Sequence, residues 1–348
     1  MRVLLRRWND CRPDLARAWL EIRRRNPALA SPYFHPKFAE IIAQHRDNVE
    51  VAQISETGLG IDALFVFQRT ENNVGVPVGH FLSDYHGLIC APGFRCDPHE
   101  LLRRCKLTAF DFGQLPISDL SFSRFAEGTG PSLRIDLSDG FGSYSRSMRA
   151  VKSEQIKIRR IERDIGALRF AMHDDRESVL ETLLRWKEEQ YKRTGVINIF
   201  VHPWVARVLR DIYRTRLGDF AGVLSSLHAG DVLVAAHLGM RSTPILHHWF
   251  PAYEWSVKTY SPGLILLLKM LEHAPAAGLT LLDLGQGTPE WKTRFANAEQ
   301  TIAYGSVERW SLRYVRRATR RAARAAIIAV GLEEPARRFY AHRAPRRA

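Results

Sequence analysis

Thr280-Leu281-Leu282-Asp283-Leu284-Gly285-Gln286-Gly287-Thr288-Pro289 reads as an apolar strand that ends on a carboxylate and runs into a glycine-rich turn. An echo of it lies far upstream. Thr108-Ala109-Phe110-Asp111-Phe112-Gly113-Gln114-Leu115-Pro116 also follows a helical segment and ends its strand in Asp-x-Gly-Gln. The same short pattern at the same place in two halves of a chain points to tandem copies of one fold.

Working outward from Thr280, Ser261-Pro262-Gly263 opens the apolar run Leu264 to Leu271, which passes through Gly278 into the strand Leu279 to Leu284. Before it, three strands form a meander: Phe220 to His228, Val232 to Met240 and Pro244 to Tyr253. The Ala229-Gly230-Asp231 and Arg241-Ser242-Thr243 breaks supply its turns. A strand–helix–strand crossover attached to a meander gives an antiparallel sheet a parallel neighbour. The expected fold class is therefore α/β, more closely an α+β mixed sheet with helices packed on it.

Further upstream the second half opens with a long charged helix, Tyr144 to Ile165, then a strand Ala167 to Met172 and helices Arg176 to Lys192 and Pro203 to Leu217. The first half reads as helices Pro13 to Asn26 and Pro36 to Arg46, then strands Val49 to Ile54, Ile61 to Gln68 and Val74 to Leu82. A helix Pro98 to Lys106 leads into the strand Leu107 to Phe112. The Gly/Ser/Asp-rich stretch Ser138 to Gly142 reads as a linker, which divides the chain into 1–137, 138–310 and a basic tail 311–348.

At 348 residues, with 45% hydrophobic and 25% charged, the chain has the composition of a soluble globular protein of two domains. The formal charge of +14 is uneven. From Arg309 onward there are 12 Arg and 2 acidic residues, net +10, and the body before it carries only +4. A nucleic-acid reading of the charge is thus a reading of the tail. No apolar window is long enough for a membrane span and the start has no signal-peptide core, so a cytoplasmic location is expected. Cys11, Cys90, Cys96 and Cys105 form no CxxC pair; reduced thiols and no metal are expected, the spacing of Cys90 and Cys96 with His86 and His99 matching no standard zinc pattern.

Three places can carry chemistry. Tyr260-Ser261-Pro262-Gly263 precedes a helix, with Ser261 suited to the N-cap, Pro262 to the first turn and Gly263 to close approach of a ligand; free amides there favour a phosphate, or simply a well-capped helix. Asp283 at the mouth of its strand, with Gly285, Gly287, Trp291 and Lys292 following, suits binding or deprotonating an amine, or caps the next turn and pairs with Lys292. His237 interrupts an apolar strand and faces either a core or a cleft, where it can accept a proton. His247, His248, Trp249, Tyr253 and Trp255 add polar aromatic edges to such a cleft. In the tail, Ser311 to Val330 reads as an amphipathic helix with an arginine stripe, suited to an anionic membrane surface or simply packed on the body with a frayed basic end.

Ala235-Ala236-His237-Leu238, the aromatic strand to Tyr253, Tyr260-Ser261-Pro262-Gly263, and Leu282 to Gly287 followed by Trp291-Lys292 and Phe295 resemble the CelD/BcsL-type members of the GNAT acyltransferase superfamily. Ser83-Asp84-Tyr85-His86-Gly87 resembles that family's aspartate-tyrosine-histidine-glycine segment. Trp291 stands where the family has tyrosine, and the usual GNAT pyrophosphate loop (Gln/Arg-x-x-Gly-x-Gly/Ala) is missing. The resemblance implies tandem GNAT-like domains and a cytoplasmic N-acyltransferase associated with cellulose or exopolysaccharide production. Acyl-CoA or acetyl-CoA would be the donor, held near Tyr260 to Gly263, and a small-molecule or saccharide amine the acceptor. His237 or Asp283 would take the proton and Lys292 would bind an acidic group. His248, Tyr253, Gly285, Gly287 and Trp291 complete the substrate-side set. Two rivals carry the same fold: a Fem-type aminoacyl-tRNA-dependent peptide ligase, with tRNA on the basic surface, and a non-catalytic adaptor.

Overall fold

A computed structural model describes residues 1–11, 14–58 and 60–309. The tail helix read over Ser311 to Val330 lies outside the described residues.

Thirteen described strands form one sheet. In chain order they are β1 (Arg2–Arg7), β2 (Val49–Ser55), β3 (Ala63–Arg69), β4 (Val74–Val76), β5 (Leu88–Cys90), β6 (Ala109–Pro116), β7 (Ala126–Asp136), β8 (Leu168–Ala171), β9 (Ala221–Ala229), β10 (Val232–Ser242), β11 (Ile245–Tyr253), β12 (Leu281–Gln286) and β13 (Ala298–Glu308). Their spatial order is β1-β2-β3-β4-β6-β13-β7-β12-β11-β10-β9-β8, with β5 added beside β3. The helices are α1 (Asp14–Arg25), α2 (Pro36–His45), α3 (Pro98–Arg104), α4 (Gly140–Ser147), α5 (Arg149–Asp164), α6 (Glu177–Thr194), α7 (Pro203–Arg214), α8 (Pro262–His273) and α9 (Glu290–Phe295).

The duplication is visible in the ladder. In each half an antiparallel run meets one parallel neighbour reached through a helix: β4–α3–β6 in the first, β11–α8–β12 in the second. The two Asp-x-Gly-Gln segments lie on β6 and β12, the equivalent strands. The last strand of each half is exchanged. β13 pairs antiparallel with β6, and β7 pairs antiparallel with β12, while β7 and β13 pair with each other and join the halves. A mixed α/β sheet built twice is the expected fold.

Sequence signals explain where elements stop. Pro77 removes an amide donor, so the strand expected to reach Leu82 ends at Val76. The helix expected over Tyr144 to Ile165 is broken at Met148, whose backbone is extended. Just before the break, the Ser145 and Ser147 hydroxyls donate to the carbonyls of Gly142 and Tyr144, competition that weakens a helix end. Gly195, at φ 68, ends α6 in the left-handed region that glycine enters without strain.

The largest core crosses between the halves. Trp19, Phe38 and Ile42 share one buried cluster with Val205, Leu209, Ile212 and Phe220. Side chains of this size contribute about 1.5–3 kcal/mol each when fully buried. Helices α2 and α7 pack across the join, where His45 Nε2 meets Asp211 at 2.6 Å. A second cluster beneath α8, including Leu267, Leu271, Leu282 and Phe295, supports the end of the sheet where β11 and β12 meet.

Candidate active site between strands β11 and β12

Strands β11 and β12 pair in parallel only over Ile245–His247 and Leu281–Asp283. Beyond His247, β11 continues to Tyr253 against β10, while β12 bends through Gly285 towards β7. The splay opens a cavity of about 680 Å³. Trp249, Pro251 and Tyr253 line one wall and Leu284, Gln286, Trp291 and Lys292 the other. Gly263, Leu264 and Leu267 of α8, Lys187 and Gln190 of α6, and Asp84 and Gln114 of the first half close it.

At its base three side chains connect the halves. Asp84 Oδ2 lies 2.8 Å from His247 Nε2, and His247 Nδ1 faces Asp283 Oδ1 at 3.6 Å, an ion-pair separation longer than a hydrogen bond. Arg134 Nε donates to Asp283 Oδ2 at 3.1 Å, and the Gly285 amide donates to its Oδ1 at 2.8 Å. Burial alone would push the His247 imidazole down, but the Asp283 and Asp84 carboxylates together raise it to about 9. It is therefore an imidazolium at neutral pH. Burial pushes the Asp283 carboxyl up, yet His247 and Arg134 hold it below the ordinary carboxylate range.

Two glycines permit close approaches around these side chains. Gly285, at φ 72, sits where a Cβ would stand 2.9 Å from Asp84 Oδ2. Gly239, at the β10 bulge, would place a Cβ 2.4 Å from the His247 carbonyl and 2.6 Å from the His237 ring. Both positions let side chains of the site approach backbone.

Of the residues expected from the sequence, His248, Tyr253, Ser261, Gly263, Trp291 and Lys292 line the cavity; His237, Asp283, Tyr260, Pro262, Gly285 and Gly287 do not. His237 is fully buried and its Nε2 accepts the Trp249 amide hydrogen at 3.2 Å, so the lone pair expected to take a proton is occupied. Burial also lowers its pKa well below the usual value. It stacks on His248, ring centroids 4.4 Å apart. His248 is pushed down to about 3, by burial first and then by the charges of His247 and Lys292, and stays neutral. Asp283 caps its turn, as one of its two readings had it, but its ion partner is Arg134 and not Lys292. Lys292 Nζ instead donates to the carbonyls of Gln286 (2.8 Å) and Gly285 (3.3 Å), fixing the turn.

The turn before α8 also departs from expectation. Ser261 is left-handed (φ 54, ψ 50) and its side chain does not cap the helix. The hydroxyl accepts from Lys157 Nζ at 3.1 Å, while the Ser261 carbonyl takes the amides of Leu264 and Ile265. Tyr260 turns away to donate to Asp164 at 3.1 Å beneath the Arg160 guanidinium. Pro262 fills the first helical turn as expected.

Sequence reading missed Lys187 and the role of Asp84 and His247. Lys187 is buried, has no carboxylate partner among the described residues, and reaches Gln190 Oε1 at 3.1 Å; burial lowers its pKa to about 8. Its signal was available, because it lies seven and four residues after Leu180 and Leu183 on the apolar stripe of α6. Asp84 lay in the family-like segment Ser83 to Gly87, but nothing local revealed its partner, which is 163 positions away.

Residues 149–293 match the model of the acetyltransferase (GNAT) domain. No curated protein matches the sequence. Among solved structures, FemX superposes with a TM-score of 0.58 at 10% identity, covering 88% of this chain and 96% of that one. The C-terminal DUF2156 domain of a lysylphosphatidylglycerol synthetase, described as putative, from Agrobacterium fabrum gives 0.51 at 12% identity over 84% and 93% of the two chains. L-PGS from Bacillus licheniformis gives 0.50 at 13% identity over 87% and 94%. Residues 149–293 are thus similar to a GNAT acetyltransferase domain, and the described chain shares its fold with these solved structures.

Proposed function

We propose that this chain is an N-acyltransferase of the CelD/BcsL type that moves an acyl group from acyl-CoA to an amine on a small molecule or saccharide, in polysaccharide or cell-envelope metabolism at the cytoplasmic side of the membrane. The observation that carries the reading is one cavity joining two kinds of wall. The first turn of α8, with Lys187 and Lys258 nearby, suits the phosphates of the donor, and Asp84 at the base suits an ammonium acceptor. Between them Trp249, Pro251 and Leu267 offer an apolar passage for the acyl chain and the thiol arm.

In this reading Asp84 attracts and orients the acceptor. The bound ammonium first loses one proton to solvent; the free amine then attacks the thioester carbonyl, a C–N bond forms and the C–S bond breaks. The attacking nitrogen becomes acidic once the bond forms, and Asp84 accepts its proton while the thiolate leaves to be protonated from solvent; a base so placed typically contributes about 10² to 10⁴ in rate. His247 and Asp283 fix the carboxylate's position. Lys292 steadies the β12 turn and presents positive charge to an acidic donor or acceptor group.

Native mass spectrometry of freshly purified protein tests the reading. A retained CoA or acyl-CoA supports it, and calorimetry showing no coenzyme A binding at millimolar concentration refutes it. Co-purifying RNA, with strongly salt-dependent binding, would instead place the chain with Fem-type ligases.

A further inference from the structure

The loop joining α6 to α7 presents apolar side chains to solvent. Val196 is 56% exposed, Ile197 84% and Val201 66%. The loop is held in this form: Gly195 ends α6 in the left-handed region, the Asn198 side chain accepts the Phe200 amide at 3.0 Å, and Pro203 opens α7. Phe200 anchors it from beneath, against the rings of Tyr191 and Phe250.

Neighbouring aromatics extend the patch. Phe81, 42% exposed, stacks on His202 with centroids 5.6 Å apart and leans on Trp204. On the other side the exposed Trp255 ring carries the Arg193 guanidinium at 3.6 Å and the Lys258 ammonium at 4.1 Å from its centroid. Among the cations nearby, Lys192 pairs with Glu188 at 3.0 Å and Arg210 with Glu181 at 2.8 Å, while Arg193 sits on Trp255 and Arg207 reaches His45 at 3.4 Å. Arg46 adds a further cation over Trp204. Projecting aliphatic residues ringed by amphipathic aromatics and cations are complementary to an anionic bilayer, whose headgroups take the charges while its acyl boundary takes the aliphatic tips. A short turn of this kind offers a protein partner neither a free strand edge nor a long helical groove.

We propose that this loop, with Phe81 and Trp255, docks the protein on an anionic lipid bilayer. Gln190 lines the catalytic cavity and Gly195 lies five residues further along, about 8 Å of helix, so docking would hold the cavity beside the membrane surface. The surface is independent of which acyl donor the cavity takes.

Flotation of the full chain with vesicles of phosphatidylglycerol and phosphatidylcholine, against phosphatidylcholine alone, at low and high salt, tests this. Wild-type protein should float with the anionic vesicles and retain part of its binding at high salt. The triple variant Val196→Ser, Ile197→Ser, Val201→Ser changes only exposed side chains and should keep the wild-type melting temperature and ligand-induced thermal shift. Its partition should fall tenfold or more, with the salt-resistant part lost. Absence of wild-type flotation overturns the proposal. So does equal flotation of the variant, which would assign binding to another basic segment. Sedimentation showing a wild-type dimer that the variant lacks would also overturn it, by making the patch a self-association surface.

Discussion

Replacing His247 by glutamine should change how stability depends on pH. The imidazole lies between Asp84 and Asp283 and is held at about 9, against about 6.5 in an unfolded chain. Because the folded protein holds this proton more tightly, the contribution is complete below about pH 6.5 and disappears as pH rises through 9. At about 1.4 kcal/mol per pH unit, that interval corresponds to about 3 kcal/mol. Other groups titrate nearby with the opposite sign. Burial lowers His86, His237 and His248, which add stability as pH rises towards neutrality, and Lys187, lowered to about 8, adds stability above that pH. The variant retains them all, so the difference between the two proteins isolates His247. Urea unfolding of both from pH 6 to 10 should show the wild-type advantage shrinking by about 3 kcal/mol, most steeply between pH 7 and 9. An advantage that stays constant over this range would mean that His247 is neutral, and the ion-pair account would fail.

Four further outcomes follow from the same geometry. Asp84→Asn should lower turnover at least tenfold while leaving the melting temperature within a few degrees, as a steady-state assay with an amine panel and a thermal melt would show. Gly263→Asp places a carboxylate at the α8 terminus and should abolish the thermal shift that coenzyme A gives the wild type. Lys187→Met removes a buried cation that has no carboxylate partner among the described residues, so urea unfolding at pH 7 should find it about 1–3 kcal/mol more stable and calorimetry should find coenzyme A bound at least tenfold more weakly; a loss of stability refutes the buried-charge argument. Gly285→Ala, at φ 72 and against Asp84, should cost about 1–3 kcal/mol and flatten the pH dependence associated with His247.

The second half was legible where periodicity and turns coincide. Val232 to Met240 and its neighbours alternate or run apolar between Gly-Asp and Ser-Thr breaks, and β9, β10 and β11 lie within a residue or two of the expected bounds. Strands β7 and β13 were not legible. Gly128, Gly130 and Pro131 interrupt the first, and Glu299, Gln300 and Thr301 open the second, so neither advertises a buried face; each is stabilised by pairing with the opposite half. Ser261 had the composition of an N-cap, but its left-handed backbone turns the hydroxyl towards Lys157, a conformation no spacing rule reveals. At the site, sequence pattern found one wall of the cavity. Asp84 joins His247 only because the two halves pack together, which depends on tertiary contact and not on any local propensity.

The exchange of final strands also has a consequence for biosynthesis. Beside β6, the place next in the ladder belongs to β13, and Ser306 Oγ reaches Asp111 across 195 positions of chain. While the ribosome is still making the intervening residues, the first half presents β6 as an unpaired edge, and β7 waits for both its neighbours. Such edges pair readily with other strands, including those of adjacent nascent chains. A chain arrested before Ala298 should therefore be an aggregation-prone species and a substrate for chaperones, whereas release of the last strand seals both edges at once.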